Sequence, residues 1–473
     1  MASEKFRQQL AQELPQWQQD GLISDEQQQQ IADRYRLNQL ESSAQNRFTA
    51  ILIGLGSVLL GIGAITFVAA NWQAIPRDLK LLLLITAFLS INIAGFELWY
   101  RAEPETGQRR LGQGLLLLGA LLLGANLALT GQLFHRSGSF YDLCLAWSLG
   151  IWLMAYSLQI TVLGVLAALI LIFGYGSGLW GSVWQNAIQW GWTLEAMPLI
   201  AGGLFIPLAY RCRSKVIFAL GAIAVGGSYW TILLQLANGI SPVLTLCLFL
   251  VPYALLWAYR DRLWPIVNAN AAFEEPFFQP VARRLSVFGL GSLYYIGAFY
   301  FVWSQPASPD SRPVDWSILG RYGLGSLAIG IVLVCTVWAW IALGQRDRPS
   351  PTWRWTGLDA TIAFFLLMTA AIPYIHWFVS PMSAIATLVF NLLLFLIAVG
   401  CIQQGLHRAR RDAFWFGTVL LTLQVLSRVF EYETGLLLKS IAFGLCGILV
   451  ILAGLWFERY LRRLSARRVS GHE

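Results

Sequence analysis

Two stretches of this chain bring together side chains that could carry a proton or hold a polar ligand. They lie within residues 130–142 and 428–433, and the side chains concerned are Gln132, His135, Arg136, Asp142, Arg428 and Glu431. An imidazole titrates near neutral pH, and the carboxylate of Asp142 is near enough in sequence to hold Arg136. We therefore predict a candidate polar cluster formed by these six residues. The alternative is that the same groups only satisfy the polar backbone of two loops.

The sequence lacks the signatures of catalysis, cofactor binding and metal binding. It contains no Walker loop, no G-x-S-x-G, no H-E-x-x-H and no dinucleotide fingerprint. Its six cysteines have neither C-x-x-C spacing nor a histidine at metal-ligand spacing, and they are typical of small apolar packing residues. Glu431 and Glu433 are two residues apart and would not share a helix face. We predict no catalytic residue, no cofactor and no metal, and a non-enzymatic role is favoured.

The composition places the chain in a membrane. Of its 473 residues, 57% are hydrophobic and only 12% are charged, whereas a soluble domain carries about 25% charged residues. So few charges cannot cover an apolar surface in water, but a lipid bilayer removes that requirement. The net charge of +8 comes from basic residues that stand singly or in small groups between apolar runs. This distribution argues against nucleic acid as a partner, since that would need a basic patch.

Long apolar runs recur along the chain and predict an all-α, polytopic integral membrane protein. A spanning helix needs about 20 mainly apolar residues. We find about fourteen candidate segments by that criterion, which are 50–70, 79–100, 111–131, 143–158, 160–178, 194–210, 216–236, 242–259, 285–303, 318–343, 357–379, 382–402, 413–428 and 436–457. We predict a transmembrane bundle over residues 48–458, with about twelve spans as the alternative count.

The connecting loops alternate between arginine-rich and arginine-poor. Lys and Arg are retained on the cytoplasmic side of membranes. With a cytoplasmic N-terminus, most of the 33 Lys and Arg residues fall on that side, including those at 211–215, at 408–411 and in a basic tail at 459–473. We therefore predict that both termini are cytoplasmic and that the candidate polar cluster lies at the outer face.

Polar residues inside the predicted spans are few and mostly neutral. Asn92, Asn126 and Asn391 are expected to bridge neighbouring helices. Acidic residues such as Asp359 fall within about one turn of a predicted helix end, where we expect them to reach headgroups or water. The lack of a carboxylate near the bilayer midplane argues mildly against a transporter driven by protons or sodium.

Tryptophans gather near predicted helix ends that face the outer side. They are Trp72, Trp180, Trp184, Trp190 and Trp192. Trp is enriched where membrane meets water because its ring is apolar and its N–H needs a partner. We predict an interfacial aromatic belt, and the alternative is an aromatic platform for a sugar or a lipid headgroup.

Residues 1–47 are too polar to enter the membrane and predict a small cytoplasmic helical hairpin. Apolar residues at helical spacing line one face of its first helix, and they are Phe6, Leu10, Leu14 and Trp17. Ser24 and Gln27 have the spacing of a capping box that begins a second helix. A hairpin of this size is below what folds alone. We expect it to dock on the cytoplasmic loops, on a second copy of the chain or on a protein partner.

Several short motifs resemble one bacterial membrane-protein family. They are Gly21-Leu22-Ile23-Ser24 in the hairpin, Asn71-Trp72 after the glycine-rich first span, and Gln132-Leu133-Phe134-His135 ahead of Trp147. They are similar to the family called domain of unknown function 2157 (DUF2157), and the resemblance covers about residues 1–160. It implies a polytopic protein of the bacterial cytoplasmic membrane, and it implies no activity and no site residue.

Size and span count favour a permease or flippase-like carrier of a small or amphiphilic molecule, by analogy with known transporters. Two other hypotheses stay open at this point. One is a membrane-embedded transferase that acts on a lipid-linked substrate, with His135, Asp142 and the outer tryptophans at its site. The other is a sensor or scaffold that acts through the N-terminal hairpin. In each case the lipid bilayer is the first partner.

Overall fold

The computed structural model describes most of the chain, and all of its elements are helical. The described residues are 10, 13–14, 16–18, 20–34, 52–63, 66–67, 70, 76–103, 106–133, 138–184, 191–237, 241–261, 277–304, 320, 323–344, 356–431 and 435–470. No strand occurs among them. The chain divides into two compact units, Met1–Trp190 and Gly191–Glu473, which we call unit 1 and unit 2.

Unit 1 contains one short polar helix followed by apolar ones. The helices are α1 Asp25–Arg34, α2 Leu52–Gly63, α3 Arg77–Arg101, α4 Gly107–Leu133, α5 Phe140–Leu158 and α6 Thr161–Trp184. The predicted capping box begins α1, since Gln27 N donates to Ser24 Oγ at 3.3 Å and Ser24 N donates to Gln27 Oε1 at 3.0 Å. Leu10 and Leu14 are buried beside it. The cytoplasmic hairpin as a whole remains a prediction.

Helix pairs in unit 1 approach closely where side chains are small. The α3–α4 pair meets at Gly95 and Gly112, because a Cβ on Gly112 would lie 2.8 Å from the carbonyl oxygen of Gly95. In the α4–α5 contact, Trp147 packs its ring on Gly124 and donates its indole N–H to Ala120 O at 2.7 Å. Close approach at small residues is how helices associate where lipid is as apolar as the helices themselves.

Unit 2 contains longer helices interrupted by several breaks. The helices are α7 Gly191–Glu195, α8 Met197–Arg211, α9 Lys215–Leu236, α10 Pro242–Phe249, α11 Val251–Ala258, α12 Gln279–Gly297, α13 Gly323–Gly344, α14 Gly357–Tyr374, α15 Ser383–His407, α16 Arg411–Glu431 and α17 Leu436–Ser470. A 3₁₀ turn, Tyr300–Val302, follows α12, and a π-helical turn, Ile375–Val379, continues α14 beyond Pro373. Helix α17 runs on through most of the predicted basic tail.

Ten described helices are long and apolar enough to cross a membrane. Three further predicted segments coincide with shorter apolar helices, Leu52–Gly63, Met197–Arg211 and Val243–Ala258. The predicted span 285–303 coincides with α12, which begins with a polar turn that contains Arg283 and Arg284. The two shortest predicted segments, 143–158 and 413–428, belong to the ten. An all-helical protein with many apolar helices is thus confirmed, while a total of about fourteen spans stays a prediction.

Candidate functional site

In unit 1, the carboxylate of Asp142, from the predicted polar stretch 130–142, caps the start of α5. Asp142 N donates to Ser139 Oγ at 3.1 Å, and Ser139 N donates to Asp142 Oδ2 at 3.1 Å, so the two residues form a capping box at the start of α5. Gln132 is exposed near the end of α4. His135 and Arg136 lie outside the described residues. The contacts of Asp142 therefore match the structural alternative for this loop.

The predicted interfacial tryptophans fall on two different helices. Trp180 and Trp184 lie at the C-terminal end of α6, and Trp192 lies in the short helix α7 with 58% of its surface exposed. Trp72 and Trp190 lie outside the described residues. An aromatic belt stays a prediction for all five.

In unit 2 a short segment that is not α-helical follows α12, and side chains from other helices form hydrogen bonds with its backbone. We call residues 298–304 the α12 turn. Ser383 Oγ donates to Trp303 O at 2.8 Å, and Asn391 Nδ2 donates to Ala298 O at 2.9 Å. Backbone that leaves a helix within a membrane must find polar partners from the protein, because lipid supplies none. Asn391 therefore bridges two elements, as we expected for the asparagines in the spans.

Arg428 and Glu431 lie against the same turn and bind each other. Arg428 Nη1 donates to Ala298 O and to Glu431 Oε2, while the other oxygen of Glu431 accepts from Tyr300 N. Their side chains are only 18% and 13% exposed. The guanidinium also stacks on Phe299, with 4.5 Å between Cζ and the ring centre. The structure thus joins the two predicted residues of this stretch into a half-buried ion pair.

Arg428 uses only one of its three nitrogens in these contacts. Its Nε and Nη2 atoms are buried and have no hydrogen-bond partner in the described part of the chain. Gln424 lies four residues earlier and donates from Nε2 to Asn391 O at 2.8 Å, but its Oε1 is also buried and finds no partner in the residues that the structure describes. A buried polar group left unpaired costs about 1–3 kcal/mol. Among the described residues, Arg428 thus has two unpaired donors, and Gln424, one helical turn away, has an unpaired acceptor. Because buried polar groups are normally paired, we take these two side chains as a candidate site.

Sequence reasoning missed a buried histidine in the same unit. His376 lies in the π-helical turn after Pro373 and is 1% exposed. Its Nδ1 accepts from Met382 N at 2.9 Å, so a neutral ring carries its hydrogen on Nε2. That Nε2 atom is buried and has no partner among the described residues. The signal available in the sequence was the position of His376, three residues after Pro373 inside an apolar run. The structure has a π-helical turn at this place, and such turns are frequent at functional sites.

Asp359 lies elsewhere in unit 2 and is buried, which corrects the expectation that it reaches water or headgroups. It is 3% exposed. It forms a capping box with Thr356 at the start of α14, accepts the indole N–H of Trp257 at 3.1 Å and pairs with Arg283 at 3.5 Å. Burial lowers the pKa of the Arg283 guanidinium, and the carboxylate of Asp359 opposes that shift. The cap and the indole explain how a charge is tolerated there.

Replacing Asp359 with asparagine tests this role. We expect Asp359→Asn to lower the free energy of unfolding by about 1–2 kcal/mol, because the cap weakens and Arg283 loses its buried partner. The measurement is thermal unfolding of the purified protein in detergent. Asp412→Asn is the matched control, since Asp412 pairs with Arg284 and Arg410 at 49% exposure and exposed pairs contribute about 0–1 kcal/mol. Equal shifts for both variants would contradict the assignment.

The ten long apolar helices define the class: this is a polytopic α-helical membrane protein. Residues 15–164 match the family described as "Predicted membrane protein (DUF2157)", which confirms the resemblance carried by the N-terminal motifs. The match ends within α6, so Gln424 and Arg428 lie outside it. No curated protein and no solved structure matches the chain.

Proposed function

We propose that this protein is a permease or flippase-like carrier of a small or amphiphilic molecule and that Arg428 and Gln424 lie on the path of that molecule. One observation carries the proposal: both side chains project from α16, which is apolar enough to span a membrane, and have buried atoms without a hydrogen-bond partner among the described residues. Ionisable residues inside spanning helices are costly and usually mark substrate pathways.

The breaks next to this site support transport over a purely structural role. Helix α12 ends at Gly297 and gives way to the α12 turn, and α14 ends in a π-helical turn that contains His376. Carriers commonly build their binding sites where spanning helices are interrupted, because the freed backbone groups and helix ends face the substrate. Two helices here, α15 and α16, direct polar side chains toward the α12 turn.

The proposal includes the predicted topology. About fourteen spans over residues 48–458 cross the bacterial cytoplasmic membrane, with the hairpin 1–47 and the tail 459–473 in the cytoplasm. The hairpin then offers a docking surface for a protein partner or a second copy. Asp142 caps α5, so the transferase hypothesis gains no support from that carboxylate.

Reconstitution tests the carrier proposal. The full chain would be placed in liposomes and assayed for uptake of a panel of radiolabelled solutes and for flipping of fluorescently labelled phospholipids. We expect movement of at least one compound, reduced about tenfold or more by Arg428→Lys, because lysine keeps the charge but loses the planar fork of donors. Arg410→Lys is the control, since Arg410 pairs with the exposed Asp412. If no compound moves, or if both variants move it at the wild-type rate, the proposal fails.

A further inference from the structure

We infer that the site at Arg428 binds an oxyanion, a carboxylate or phosphate group, that carries a hydrogen-bond donor beside it. This inference rests on the proposed function, because it names the class of molecule that the carrier would move.

The free edge of the Arg428 guanidinium has the geometry for an oxyanion. Its Nη1 edge is occupied by Ala298 O and Glu431. The Nε and Nη2 atoms left over are the pair whose N–H bonds point the same way from one edge of the plane. Two parallel N–H donors match the two oxygens of a carboxylate or phosphate and bind them bidentately.

The other contacts of Arg428 leave this edge without a hydrogen-bond partner among the described residues. The Oε1 atom of Glu431 accepts from Tyr300 N, and its Oε2 atom accepts from Arg428 Nη1. With both oxygens engaged, this carboxylate cannot turn to the free edge of the same guanidinium. The ring of Phe299 also lies against the guanidinium, with 4.5 Å between Cζ and the ring centre. The N–H bonds of a guanidinium lie in its plane, so ligand oxygens must approach within that plane.

Gln424 adds a hydrogen-bond acceptor to the donors of Arg428. Its Nε2 donates to both Asn391 O and Asn391 Oδ1, at 2.8 and 3.3 Å, which orients the amide and leaves Oε1 as an acceptor without a donor. Residues four apart lie on the same face of a helix, so this oxygen is on the side of α16 that carries Arg428. A ligand with a hydroxyl, an ammonium group or a protonated phosphate oxygen next to its anionic group would satisfy both residues.

The pairing of Arg428 with Glu431 leaves the site without net charge, which favours release of a bound anion by a carrier. Glu431 already neutralises Arg428, so the pair attracts an anion by directed hydrogen bonds and not by net charge. Replacing Glu431 with glutamine would keep an oxygen for Tyr300 N but leave the site positive. The inference therefore predicts opposite changes in affinity for two substitutions within one ion pair, and a merely structural pair would not show them.

Calorimetric titration of the full chain in neutral detergent tests this. Three probes distinguish the source of the oxyanion: inorganic phosphate, lactate, and phosphatidylglycerol in mixed micelles. We expect saturable binding of at least one probe, weakened about tenfold by Arg428→Lys through loss of the bidentate contact and tightened several-fold by Glu431→Gln. Arg410→Lys serves as the control and should bind as the wild type does. Gln424→Glu should abolish binding, because the new carboxylate repels the anion. This second variant tests the site in the case in which Arg428→Lys does not fold.

The outcomes separate this inference from the proposed function. If no probe binds, or if Arg428→Lys and Arg410→Lys bind equally well, the inference is wrong even where liposomes show transport. It is also wrong if Glu431→Gln weakens binding. Binding that follows the predicted order without movement of any compound would support the oxyanion site and remove the carrier.

Discussion

Replacing Arg428 with alanine is expected to lower the free energy of unfolding by about 3–5 kcal/mol, because it leaves a buried charge without its partner. The carboxylate of Glu431 is 13% exposed and Arg428 is the partner that neutralises it. The same change removes a donor from Ala298 O in the α12 turn. Thermal and denaturant unfolding in detergent would measure the loss.

A double-mutant cycle measures the interaction energy between Arg428 and Glu431 separately from the energies of their other contacts. Glu431→Ala alone should also destabilise, since it leaves the guanidinium of Arg428 buried and uncompensated. The double variant Arg428→Ala with Glu431→Ala should lose less than the sum of the single changes, because no unpaired charge remains. Additive losses would show that the two charges do not stabilise each other, and the description of this pair would then be wrong.

Replacing Gly417 with valine should separate α15 from α16. A Cβ on Gly417 would lie 2.5 Å from Ala398 O and 2.9 Å from Ile402 N, and both are backbone atoms that cannot turn aside. Overpacking of this kind costs about 3 kcal/mol. Because Gln424 reaches Asn391 across the same pair of helices, we also expect Gly417→Val to weaken any ligand binding at Arg428.

The matched control is on the facing helix. Gly400 belongs to α15, and no atom of another described helix lies within 4 Å of the position of a Cβ there. Gly400→Val should therefore change the melting temperature little, since valine and glycine both have modest helix propensity. A comparable loss of stability for the two variants would mean that close approach at Gly417 does not hold this helix pair together.

Much of the helical architecture is readable from local pattern alone. Each of the predicted apolar segments overlaps at least one described helix, and the boundaries of segments such as 79–100 and 216–236 agree with Arg77–Arg101 and Lys215–Leu236 to within a few residues. The capping box of Ser24 and Gln27 was also predicted correctly. These features depend on residues close together in sequence, namely apolar run length and the chemistry of one helix turn.

The candidate site was predicted only in part. Arg428 and Glu431 were singled out as charged residues at the predicted outer end of a span, and the structure joins them. Asn391 was expected to bridge helices, and it does. Gln424 and His376 did not stand out, because an amide or an imidazole in an apolar run gives no sign of which of its atoms finds a partner. That outcome depends on where α12 and α14 break, and the only local signal is Pro373 before the second break.

Small residues show the same division between sequence and structure. Small residues recur at four-residue spacing in several spans. Of one such pair, Gly124 contacts the ring of Trp147, and Ala120 O accepts its indole N–H. Gly330 has the same spacing from Ser326, yet no atom of another described helix lies within 4 Å of a Cβ placed on it. Spacing makes close approach possible, and the neighbouring helix decides whether it occurs.

The amino-acid sequence alone established that this chain is helical and belongs in a membrane. The length of its apolar runs and its low content of charged residues can be read directly from the sequence and do not depend on contacts between distant segments. Which helix faces meet, and which polar atoms stay unpaired, depended on the folded arrangement. In lipid an outward face and a packed face are equally apolar, so the pattern that reveals a buried face in water is missing. Only contacts between distant segments, such as those of Arg428 with the α12 turn, supply that information.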